Sequence, residues 1–120
     1  MELIKVVNAK NVLEGFSSNE NISPRLSYWM TKFVIRAQPE CDFYITEMRK
    51  LFDKYDCKQQ GDNIVIPTDK IDEFNDDVSM LEHMDVEAPN IKFALSDLSS
   101  ELKISMRKMA TLLDFIDEEK

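Results

Sequence analysis

Glycine occurs twice in the 120 residues, histidine once, cysteine twice and tryptophan once. Each scarcity excludes something. With glycine only at Gly15 and Gly61, the glycine-rich phosphate loops GxxxxGK[ST] and GxGxxG and the nucleophile elbow GxSxG have no place. With His83 the only histidine, HExxH and paired-imidazole metal sites are excluded too. Cys41 and Cys57 form no CxxC pair and no disulfide framework. No 18-residue apolar run and no signal-peptide pattern occur, so the expectation is a cytoplasmic chain with reduced thiols and no membrane contact.

What is present is an ordinary globular composition, 43% apolar and 32% charged, of a length suited to a single domain over 1–120. The net charge of −8 is unevenly placed. Residues 1–58 hold nine basic and eight acidic side chains, whereas 59–120 hold six and fifteen. Direct nucleic-acid binding would rest on Arg25, Lys32, Arg36, Arg49, Lys50 and Lys54. Their alternation with acids reads instead as a self-neutralising helix surface.

The opening Glu2-Leu3-Ile4-Lys5-Val6-Val7 is rich in β-branched residues and predicts a strand, followed by a short helical stretch over 9–14. Turn-rich joints are expected over 15–23 and 57–63. Ser23-Pro24 supplies a capping hydroxyl and a proline at the first helical position, so a long helix should start there. At 100° per residue, Leu26, Met30, Phe33, Ala37, Tyr44, Met48, Leu51 and Tyr55 fall within about 40° of one line. The stripe keeps phase through Pro39. One helix kinked at Pro39 is favoured over a hairpin broken there.

Residues 57–66 predict a β-hairpin around Gly61-Asp62. Thr68 or Asp69 should cap the next helix, with Ile71, Phe74, Val78 and Leu81 as its buried stripe. Alternation over 90–95 predicts a strand with Ile91, Phe93 and Leu95 inward. A last helix from Ser99 or Ser105 would bury Leu102, Met106, Met109, Leu113 and Ile116 and fray over 117–120. The sum is an α+β fold: a long helix, two shorter helices and a small antiparallel sheet.

Catalytic and metal-ligating candidates are few. His83 reads as a charged cap at the end of an acidic helix, with no second histidine or cysteine spaced to join it in binding a metal. Cys41 and Cys57 read as packing residues. No catalytic residue, metal or cofactor is expected. Two surfaces remain as candidates. Tyr28 and Ile35 project opposite the core stripe of the long helix, flanked by Trp29 and Phe43, so that helix is apolar nearly all round and should meet another protein or a second copy. The carboxylates Asp72, Glu73, Asp76 and Asp77 crowd one helix at like-charge spacings, and suit docking onto something basic, including a nucleic-acid groove on another protein.

Short motifs in a fixed order carry a resemblance. Leu3-Ile4-Lys5 with Asn8-Ala9, Ile22-Ser23-Pro24-Arg25-Leu26-Ser27-Tyr28 and Met48 to Tyr55 come first. Glu73-Phe74-Asn75, Val86-Glu87 and Ile104-Ser105 through Asp114-Phe115-Ile116 follow. Together the chain resembles small, functionally unassigned proteins encoded by tailed phages and prophages of Gram-positive bacteria. Gln38-Pro39-Glu40 departs from the charged, proline-free stretch usual there, and Met106 stands where the last helix often starts with proline. The resemblance implies a viral accessory protein without a catalytic residue. The resulting expectation is a non-enzymatic protein that works by binding a protein partner or itself. The alternative is an acidic inhibitor of a host defence nuclease that imitates nucleic acid.

Overall fold

A computed structural model describes residues 1–16, 19 and 21–117. The expected joint over 15–23 lies partly, and the fraying of 118–120 wholly, outside the described residues. The fold is α+β. In order it runs α1 (Leu3–Glu14), α2 (Pro24–Lys54), β1 (Lys58–Gln60), β2 (Asn63–Val65), a 3-10 turn (Thr68–Lys70), α3 (Ile71–Glu82), β3 (Phe93–Ala94), α4 (Leu95–Glu101), α5 (Met106–Thr111), a 3-10 turn (Leu113–Phe115) and β4 (Ile116–Asp117).

The organising element is α2, 31 residues without a break at Pro39. The hairpin alternative is therefore not adopted. The Ser23 hydroxyl accepts the Leu26 amide, and Pro24 takes the first turn. Glu101 accepts the Ser23 amide at 2.7 Å, and Arg25 grips both oxygens of Asp97 at 2.9 Å, so α4 is tied to the start of α2. At the far end Asp56 takes a left-handed conformation, φ 55, and the Cys57 amide bonds back to the Phe52 carbonyl at 2.9 Å. That is a Schellman closure with aspartate where glycine is usual. A straight helix of this length spans about 46 Å. It sets the long axis of a molecule 50 × 30 × 24 Å, whose radius of gyration of 16.8 Å exceeds the roughly 14 Å of a rounder chain this long.

The inward stripe of α2 is as its spacing predicts. Leu26, Met30, Phe33 and Ala37 are buried with Val6, Ala9 and Leu13 of α1 and with Ile91, Phe93, Leu98, Leu112, Phe115 and Ile116 from the second half. Phe33 is the hub: it meets Phe115 edge-on at 4.7 Å and Phe93 at 5.9 Å. Further along α2, Cys41 packs with Leu3 and Val7, and Phe52 stacks on Phe74 at 5.8 Å.

Several expectations need correction. The strand expected at 2–7 is helix α1, because Leu3, Val6, Val7, Lys10 and Leu13 are buried at spacings of three and four, and packing on α2 outweighs β-branched propensity. Neither Thr68 nor Asp69 caps α3, and Ile71 is exposed rather than in its stripe. The strand at 90–95 shrinks to Phe93–Ala94, paired parallel with Ile116–Asp117, and Leu95 faces solvent at the start of α4. The single last helix is two short ones, separated at Lys103, whose φ of 49 breaks the helical path. Met106 and Leu113 are consequently exposed, and Leu112 and Phe115 fill the core instead. Asp117, expected in the frayed end, lies in β4. The hairpin forms as expected, Lys58 opposite Val65, with Gly61 at φ 61 in its turn.

Candidate functional site

Two surfaces contain the residues singled out from sequence. The first is the outward side of α2. The core stripe faces the rest of the chain, so residues half a turn away point outward. Ile35 is 64% exposed and Tyr28 52%, against none for Phe33 on the opposite side. Trp29 and Phe43 are exposed on one flank. Trp29 meets the Tyr28 ring edge-on at 5.2 Å, and the Lys32 ammonium sits 5.3 Å from the centre of the same ring. Arg36 and Pro39 are exposed between these groups. Pro39 has no N–H, so the Ile35 carbonyl lacks its helical donor at the middle of this face.

Two open clefts border the surface. One, about 250 Å3, runs between the end of α1 and α2 and is lined by Leu13, Phe16, Ile22, Met30, Val34 and Ile35 among others. The other, about 310 Å3, lies beside Trp29 and is walled by the Arg25–Asp97 pair and by 90–94.

The second surface is α3. Asp72, Glu73 and Asp76 are exposed and form no ion pair among the described residues. Met80, 74% exposed, projects from the same side of the helix. Asp77 differs. Its carboxylate turns toward α2, where it accepts the Tyr55 hydroxyl and pairs with Lys54 at 3.0 Å, so it joins the two helices and is less exposed than Asp72, Glu73 and Asp76.

This clamp has a pH signature. Hydrogen bonds from Tyr55 and Lys54 hold the Asp77 carboxyl below its usual range, and the bond to Asp77 holds the Tyr55 phenol above its own. The Asp77 contribution is complete above the unfolded carboxylate value of about 4 and is lost as pH falls through the lower folded value. The Tyr55 contribution is complete below about pH 10 and is lost as pH rises through its raised value. Tyr55→Phe is expected to lower Tm at pH 7 and to make the loss of stability below pH 4 shallower than in the wild type. Thermal melts from pH 2 to 8 measure both, and unchanged curves would show that the bond carries no stability.

Comparison with family models, curated proteins and solved structures gives no match. The reading of these surfaces therefore stands on their chemistry. Among the described residues, no group of three or more histidine, cysteine, aspartate or glutamate side chains is placed to hold a metal ion. No helix there is long and apolar enough to cross a membrane. His83 is exposed at the end of α3, with Nδ1 3.2 Å from a carboxylate oxygen of Glu2. Both cysteines are free thiols: Cys41 is buried, and burial pushes its thiol up, which disfavours the nucleophilic thiolate. Sequence reasoning missed the inward turn of Asp77. The signal lay in the spacing, since Asp77 is three residues beyond Phe74 and four before Leu81, on the side that α3 buries.

Proposed function

We propose that this chain is a non-enzymatic interaction protein, of the accessory kind that the phage resemblance implies, acting by docking the outward face of α2 onto another protein surface. The observation that carries this reading is the exposure of Tyr28, Trp29, Ile35 and Phe43 along one uninterrupted helix whose opposite side is already packed. Large aromatic groups held by a rigid helix lose little entropy on burial, and such residues dominate interface energies.

A photo-crosslinking amino acid at Tyr28 or Ile35 is expected to give protein adducts in expressing cells, and the same group at exposed Ser99 is not. Tyr28→Ser with Ile35→Lys should abolish partner binding while changing stability by no more than about 0.5 kcal/mol, as ordinary surface substitutions do. Adducts no more frequent than at Ser99 would remove the reading.

A second, narrower reading has its own support in the uncompensated carboxylates of α3. In it the chain occupies the basic groove of a nucleic-acid-binding protein. Binding to such a partner should then weaken steeply with salt, and reversal of Asp72, Glu73 and Asp76 to lysine should abolish it. Asp77 is left out of that variant because its loss would open the α2–α3 clamp. Binding that survives the three reversals would end this reading.

A further inference from the structure

We draw no further inference here: the strongest candidate, the outward face of α2 around Tyr28, Trp29, Ile35 and Phe43, is an unpartnered apolar surface, and nothing in the structure shows what covers it.

Discussion

Phe33→Ala is expected to destabilise the protein by about 3–5 kcal/mol, the range for truncating a fully buried phenylalanine. Phe33 has no exposed surface, and its ring touches Phe93 and Phe115, so three separate segments meet on one side chain. Removing the ring leaves a cavity between elements held by backbones that cannot all close on it. In calorimetry the loss should appear as a fall in Tm of about 10–20 °C. A fall of less than about 1 kcal/mol would mean that the core reorganises around the gap and that α2 is not its organising element.

The second large effect has the opposite sign. Pro39 sits inside α2 and is exposed, so Pro39→Ala removes no packing and restores a donor for the Ile35 carbonyl. An interior proline costs a helix about 3 kcal/mol, and the freer unfolded chain of the alanine variant returns up to about 1 kcal/mol of that. A net gain of about 2 kcal/mol is expected, read as a rise in Tm and in the denaturant midpoint at unchanged slope. A neutral or destabilising result would show that the proline is accommodated in α2 without the usual penalty. A stability cost kept in the middle of a solvent-facing apolar surface is the kind of local conflict that marks functional rather than structural selection.

The parts of the fold legible in the sequence are those where one signal met no competitor. The stripe from Leu26 to Tyr55 fixed α2 because its phase ran unbroken for many turns, and Gly61-Asp62 fixed the hairpin because both turn residues were present. At the start of the chain two signals competed. Val6 and Val7 suggested a strand by composition, although Leu3, Val6, Lys10 and Leu13 already had helical spacing, and the burial of that face against α2 decided the outcome. In the last third the chain breaks at Lys103 with no glycine or proline to mark it, so the expected single helix put Met106 and Leu113 inside. The outward side chains of α2 were legible because exposure there is the complement of a well-defined core stripe. The role of Asp77 was not, since a carboxylate on the inner side of α3 reads like its neighbours until Tyr55 is brought beside it.

The meeting of Phe33 with Phe93 and Phe115 also sets the timing of maturation. A ribosome adds about 5–20 residues per second, so α2 leaves the exit tunnel seconds before the two rings that complete its core. During that interval only α1 is available to cover the inner side, so the rest of the stripe and the whole outer side are open to solvent and to neighbouring polysomal chains. Contacts between residues this far apart in sequence also slow the final closure, because the intervening loop must be ordered before any ring packing rewards it. The nascent chain therefore passes through a phase in which its helix is most adhesive and least protected, and its yield in the cell should depend on how quickly synthesis reaches Phe115.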